Sequence, residues 1–157
     1  MGKDIAWQEV HMDFDSPRNC LGNAVRKASR VATSHYEQAL RPTGLRFTQF
    51  SVLYTIRALS GPTISALAHE TQIDRTTLTR TLGLLERRGL CALASGSDKR
   101  ERRVELTRQG EHAVDEAYEA WHGAQSDLLS RLDAEGGHEL LSNLERLAAA
   151  ATDSSPD

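Results

Sequence analysis

The sequence predicts a mainly α-helical chain with one small β-hairpin. Three observations predict it. Apolar residues recur at helical spacing in long stretches near both ends. Shorter helical stretches lie between them, punctuated by Gly, Pro and Asp. One pair of alternating segments, "CALAS" and "RRVEL", brackets the polar turn "GSDKRE". At 157 residues the chain is long enough for one compact unit with a real core.

The first helix is expected from Ser16-Pro17, with serine as N-cap and proline at the first helical position. Its stripe runs through Leu21, Ala24, Val25, Ala28, Val31, Ala32, His35, Ala39 and Leu40, and "RPTG" ends it. A second helix fits "FTQFSVLYTIRAL". Thr48 is its expected cap, Phe47 can staple onto Val52, and Phe50, Leu53, Ile56 and Leu59 point inward. "SGPT" stops it, and a short helix follows in "SALAHETQ" with Leu67 and Ala68 inward. Asp74 caps a fourth helix that ends at "RRGL", where Gly89 suits a left-handed C-cap. After the hairpin, Thr107 opens a long helix with Val114, Tyr118, Trp121, Gln125, Leu128 and Leu132 in register. "AEGG" is expected to break it. A last helix carries Leu140, Leu141, Leu144, Leu147, Ala148 and Ala151, and the tail "TDSSPD" is expected to fray. Long amphipathic helices around so small a centre need a second copy to cover their stripes.

With 39% hydrophobic and 26% charged residues, the composition has neither a disorder nor a membrane bias. No apolar run approaches the roughly 20 residues that span a bilayer. The acidic N-terminus lacks the apolar core of a secretory signal. Cys20 and Cys91 form no framework and read as reduced thiols, so a cytoplasmic location is expected. The net charge of −3 conceals an asymmetry. Residues 60–110 carry nine Lys/Arg against six Asp/Glu, whereas residues 111–157 carry two Arg against eleven Asp/Glu. The middle segment is the one suited to a polyanion. The histidines are scattered, "HET" and "HEL" do not continue into a zinc motif, and there is no nucleophile elbow or phosphate loop. An enzyme, a metal site and a cofactor are therefore not expected.

On a helical wheel of 75–88, Leu78, Leu82 and Leu85 cluster on one side. Thr76, Arg80, Gly83 and Arg87 fall opposite, with Arg75 and Thr79 beside them. Together with "SALAHETQ" and the turn around Gln72–Asp74 this is a helix-turn-helix pattern. In such a motif the start of the second helix meets base edges, where arginine can grip guanine and threonine can offer a hydroxyl or a methyl. Taken alone, a solvated face explains these residues equally well. The hairpin shifts the balance, because an arginine-rich turn beside the motif can reach an adjacent minor groove as a wing. The expected readers are Arg75, Thr76, Thr77, Thr79 and Arg80 in the major groove and Arg100 in the minor groove, with Lys99 and Arg102 on phosphates. Asp98 and Arg103 are expected to pair and shape the wing.

"LAHETQIDRTTLTRTLGLLERRGL" followed by "SDKRERRVELTRQG" resembles the MarR family of winged-helix transcriptional regulators. The specific part is Asp98-x-Arg100-x-x-Arg103 followed by Val104-x-Leu106-Thr107-x-x-Gly110. "GLRFTQFSVL" (44–53) is similar to the family's second helix. The resemblance spans roughly residues 20–147. It implies a homodimer with interlocked first and last helices, two winged lobes on a pseudo-palindromic operator in double-stranded DNA, and repression relieved by a small ligand or an oxidant. Gly83 departs from the family, whose members carry a larger residue there.

The resemblance also implies where a signal would enter. A small aromatic or phenolic ligand would meet His35, Phe50, Tyr54 and Trp121. The competing reading makes His35 a core histidine bonded to a neighbour and the aromatics plain core. Peroxide-sensing relatives carry a cysteine that aligns with Gly22 here. Cys20, two residues away, is turned about 200° around a helix. Cys20 in a first helical turn remains a redox candidate, with an inert thiol as the alternative. Cys91 reads as structural.

The expectation is thus a winged helix-turn-helix lobe over residues 45–107. It is flanked by an N-terminal arm and first dimerisation helix (1–44) and by C-terminal dimerisation helices (108–157). The expected function is a DNA-binding transcriptional regulator acting as a repressor. The alternative is a winged-helix scaffold that docks proteins through its acidic C-terminal half and binds no DNA.

Overall fold

In a computed structural model, residues 16–95 and 102–152 are described. The chain divides into two compact units, residues 1–35 and 36–157, with the boundary inside the first helix. The helices are α1 (Leu21–Leu40), α2 (Phe47–Ala58), α3 (Ile64–Thr71), α4 (Arg75–Arg87), α5 (Arg108–Leu132) and α6 (Ala134–Thr152). Strands β1 (Cys91–Ser95) and β2 (Arg102–Leu106) lie between α4 and α5. This is the mainly helical winged-helix fold that the sequence predicts.

The described part of the N-terminal unit differs from a single unbroken helix. Ser16 caps only a short 3₁₀ turn, Pro17–Asn19. Cys20 then takes an extended conformation (φ −66°, ψ 121°), and α1 starts at Leu21. The proline-led turn and the α-helix have different hydrogen-bond spacing, and Cys20 is the joint between them.

In the second unit the core is built from α2, α3, α4, the hairpin and the first half of α5. Leu40, Val52, Leu53, Leu67, Leu78, Leu85, Val104, Val114 and Ala117 are all fully buried. At about 25 cal/mol per Å² of apolar surface, each large side chain here adds roughly 1.5–3 kcal/mol of burial energy. α2 starts two residues earlier than a Thr48 cap would place it. Its N-terminal cap is Arg46, whose N–H donates to Gln49 Oε1 at 3.1 Å. Leu59 is the C-cap of α2 and is 42% exposed, because the helix has already ended and turned it outward. Ser60 and Gly61 then adopt positive φ (53° and 83°), which makes the sharp turn into α3.

β1 and β2 pair antiparallel in the register Cys91↔Leu106 to Ser95↔Arg102. The free edge of β2 takes a third short segment that the sequence pattern did not reveal. Val104 N–H donates to Pro62 O at 2.9 Å, and Thr63 bridges Arg103. The wing is therefore tied by main-chain bonds to the α2–α3 turn.

The break between α5 and α6 falls at Asp133 and not within "AEGG". Asp133 has φ 57° and ψ 167°, and its carboxylate caps α6 by accepting from Gly136 N–H at 2.7 Å. Both glycines lie inside the first turns of α6.

Candidate nucleic-acid interface

The helix-turn-helix is held by complementary ends. Thr63 Oγ1 caps α3 by accepting from Ala66 N–H at 3.1 Å. Gln72 closes α3 in a left-handed conformation, and its side chain donates to His69 O at 2.7 Å. Asp74 Oδ1 caps α4 by accepting from Thr77 N–H at 2.9 Å. The Thr77 hydroxyl, followed by its N–H, holds the Asp74 carboxyl below the usual carboxylate range.

α4 ends in a Schellman motif. Leu90 N–H donates to Leu85 O at 3.0 Å and Gly89 N–H to Glu86 O at 2.8 Å, with Gly89 at φ 69°. Next to it sits the junction with α5. Thr107 N–H donates to Leu90 O, and Thr107 Oγ1 donates to Gly89 O at 2.6 Å and accepts from Gly110 N–H at 3.0 Å. A Cβ on Gly110 would lie 1.8 Å from Leu90 O, so only glycine fits. The Thr107-x-x-Gly110 pattern therefore has a mechanical meaning. It seats the long helix directly on the C-terminus of α4.

On this frame Leu78, Leu82 and Leu85 are buried and Thr76, Arg80 and Arg87 face outward, as the wheel predicts. Arg75, Thr77 and Thr79 are exposed as well. The guanidinium groups of Arg75 and Arg80 have no ion-pair or hydrogen-bond partner among the described residues. Thr79 Oγ1 donates to Arg75 O at 2.7 Å. Its proton is committed to the helix, so it presents a methyl and an acceptor outward. Thr77 is turned to the Asp74 cap. At the far end, Arg88 donates to Gln49 Oε1 at 3.2 Å and is tied to the start of α2.

Asp98, Lys99 and Arg100 lie outside the described residues, and with them the expected Asp98–Arg103 pair. Arg103 Nη1 donates to Gly61 O at 2.9 Å, at the α2–α3 turn. The third edge segment brings that carbonyl to the guanidinium. Arg102 is exposed.

The aromatic candidates divide between the units. His35 is half-buried in the N-terminal unit. In the other unit, Phe50 meets Tyr54 (5.9 Å between ring centroids) and Trp121 (6.1 Å). Tyr118 joins them by stacking on Tyr54 at 6.2 Å and contacting Trp121 at 5.5 Å and His122 at 6.0 Å. Arg57 stands 5.3 Å from the centre of the Tyr54 ring and pairs with Asp115 at 2.6 Å. Sequence pattern assigned no ligand role to Tyr118, Arg57 or Asp115. Their signal was the i, i+3/i+4 spacing of Tyr54–Arg57 on α2 and of Asp115–Tyr118–Trp121–His122 on α5.

Cys20 is exposed at the joint before α1 and not in its first turn. Cys91 is buried, and burial with the Glu86 charge pushes its thiol up to about 11. That disfavours thiolate chemistry and fits a structural role. Among the described residues no group of three or more His, Cys, Asp or Glu is placed to hold a metal. No helix among them is long and apolar enough to cross a membrane.

A model of the MarR family matches residues 43–101. An uncharacterized HTH-type transcriptional regulator of Bacillus subtilis, YwoH, is 31% identical over 96 residues, which are 61% of this chain and 70% of that protein. The structure is similar to the Mycobacterium tuberculosis transcriptional regulator MosR in complex with DNA. Identity is 37%, the TM-score is 0.74, and 84% of this chain and 98% of that one are covered. It is also similar to the transcriptional repressor CouR bound to p-coumaroyl-CoA, at 26% identity and TM-score 0.76, covering 83% of this chain and 93% of that one.

Proposed function

Because this chain belongs to the MarR family of transcriptional regulators, we propose that it is a homodimeric repressor that reads a pseudo-palindromic operator through the first two turns of α4. One observation carries the reading. α4 buries Leu78, Leu82 and Leu85, while the guanidiniums of Arg75 and Arg80 stand exposed and, among the described residues, uncompensated. An unpaired, exposed cation is inexpensive in water and strongly attracted to a duplex. Arg75, Thr76, Thr79 and Arg80 read bases, Thr77 chiefly holds the cap, Arg100 enters the minor groove, and Lys99 and Arg102 meet phosphates.

The dimer reading rests on apolar residues that need a cover. Leu140, Leu141 and Leu144 of α6 are 42–58% exposed, and Leu129 and Leu132 near the end of α5 are exposed too. A groove of about 550 Å³ between α5 and α6, walled by Leu129, Leu141 and Gly137, adjoins them. In the N-terminal unit, Leu21 and Val31 are also exposed. A second copy supplies the same surfaces. The signal is a small aromatic or phenolic ligand at Phe50, Tyr54, Tyr118 and Trp121, with His35 a further candidate. Oxidation of Cys20 is the second route.

Fluorescence anisotropy on the protein's own upstream intergenic DNA and on a scrambled duplex tests the reading. Arg80→Ala should lose about 1–3 kcal/mol per half-site on the operator, and Lys99→Ala should weaken both duplexes alike. Equal losses for Arg80→Ala would remove it from the base readers. Absence of any duplex binding at low salt would favour the protein-docking scaffold. Adding phenolic acids or peroxide to wild type and Cys20→Ser separates the two signals.

A further inference from the structure

α4 contains a glycine that its own fold does not need. Gly83 sits in the middle of a 13-residue helix, where glycine is less favourable than alanine. It is not among the residues with positive φ. A Cβ built on it meets only the far end of Arg87, at 3.8 Å, which is ordinary contact. The contrast with Gly110, where a Cβ would strike backbone at 1.8 Å, is complete. No turn, close approach or packing constraint among the described residues accounts for Gly83.

Its position does. Gly83 shares the outward strip of α4 with Thr76, Arg80 and Arg87. Arg80 and Arg87 are both exposed and lie about 10 Å apart along the helix axis. Between them lie the exposed side chain of Leu84 and, beside it, Gly83, which is half-buried and adds no side chain of its own, with only the far end of Arg87 near it. A recognition helix reads bases with its first turns, so its later turns pass the edge of the groove, where the sugar–phosphate strand runs. We infer that Gly83 is a notch that lets a strand of double-stranded DNA pass against the backbone of α4, with Arg87 on its far side against phosphate. The inference rests on the proposed reading of α4 as the DNA-reading helix. It adds a residue whose contribution is the absence of a side chain.

The test measures stability and DNA affinity on the same variants. Gly83→Ala and Gly83→Gln should raise the melting temperature by about 2–4 °C, since both residues favour helix and a Cβ there meets only the far end of Arg87. Each should weaken binding to operator and scrambled duplex alike, by about tenfold for alanine and more for glutamine. No charge is removed, so the slope of log affinity against log salt should stay unchanged, whereas Arg87→Ala should lower it by about 1. Gly123→Ala on α5, where nothing lies within 4 Å, controls for helix propensity. It should raise the melting temperature and leave affinity as it is.

Unchanged or tighter binding by Gly83→Ala overturns the inference. So does a fall in its melting temperature, which would give the glycine a role in the fold. A loss confined to the operator overturns the assignment to the strand. Wild-type binding is read first. If wild type binds neither duplex, the DNA-reading proposal itself has failed, an outcome distinct from any behaviour of the variants.

Discussion

The winged lobe and the last helix solve the same problem in opposite ways. α4 carries Leu78, Leu82 and Leu85 at helical spacing and buries all three to 2% exposure or less. α6 carries Leu140, Leu141 and Leu144 at similar spacing and leaves each at 42% or more. The two amphipathic patterns look alike in sequence. The difference is whether the chain brings its own cover. Around α4 it does, chiefly through α3 and β1. Around α6 the described residues do not, which is why we propose that stripe as a surface for association. The lobe packs its own core, and the terminal helix leaves its apolar stripe open.

Breaking the packed side should have the largest effect. Gly110→Ala puts a methyl group into Leu90 O and must lift α5 from the end of α4. The expected loss is about 3 kcal/mol or more, checked by chemical denaturation with the near-ultraviolet signal of Trp121 as probe. A loss below about 0.5 kcal/mol would mean that the junction is looser than its contacts indicate.

The exposed side should respond differently. Leu141→Lys with Leu144→Lys should change the stability of the isolated chain by no more than about 0.5 kcal/mol. It should nevertheless convert a dimer into a monomer in sedimentation velocity and abolish the dependence of melting temperature on protein concentration. A variant that stays dimeric would move the interface away from α6.

The smallest effect concerns the cap of α4. The pKa of Asp74 is lowered in the fold by Thr77, so its carboxylate stabilises the helix above the ordinary aspartate value. That stabilisation is lost as the pH falls below about 4, through the lowered folded value. Asp74→Asn keeps a capping oxygen and should flatten this part of the stability–pH curve without disturbing α4 at neutral pH. Hydrogen exchange of the Thr77 amide between pH 3 and 6 would measure it; a wild-type curve that is already flat would remove the cap from the pH response.

Much of the fold was legible because it is local. Asp74, Thr107 and Gly89 announce helix ends by chemistry that acts within a few residues, and all three do what their types suggest. The leucine stripe of α4 and the alternation of "CALAS" and "RRVEL" are equally short-range. The misreadings come from places where a neighbour intervened. Thr48 looked like a cap, but Gln49 reaches back to Arg46. "AEGG" looked like a break, but Asp133 turns the chain one step sooner and caps α6. The spacing gave no sign that Arg103 meets the Gly61 carbonyl, which Pro62 and Thr63 bring to it by pairing with β2.

The candidate site divides along the same line. The outward face of α4 is a property of one helix, and a wheel locates it. The cluster of Phe50, Tyr54, Tyr118 and Trp121 joins residues of two helices that lie more than sixty positions apart in sequence, and no periodicity within either helix predicts their meeting. By itself, then, the sequence determined the helices, the ends that carry their own caps (Thr63 is a cap it missed, Asp74, Gly89 and Thr107 caps it found), the hairpin and the outward arginines, because backbone geometry and capping act over three or four residues. Only the tertiary structure decided which stripes are covered, what Arg103 holds, why Gly110 must lack a side chain and why Gly83 need not, because those answers depend on what the rest of the chain places within 4 Å.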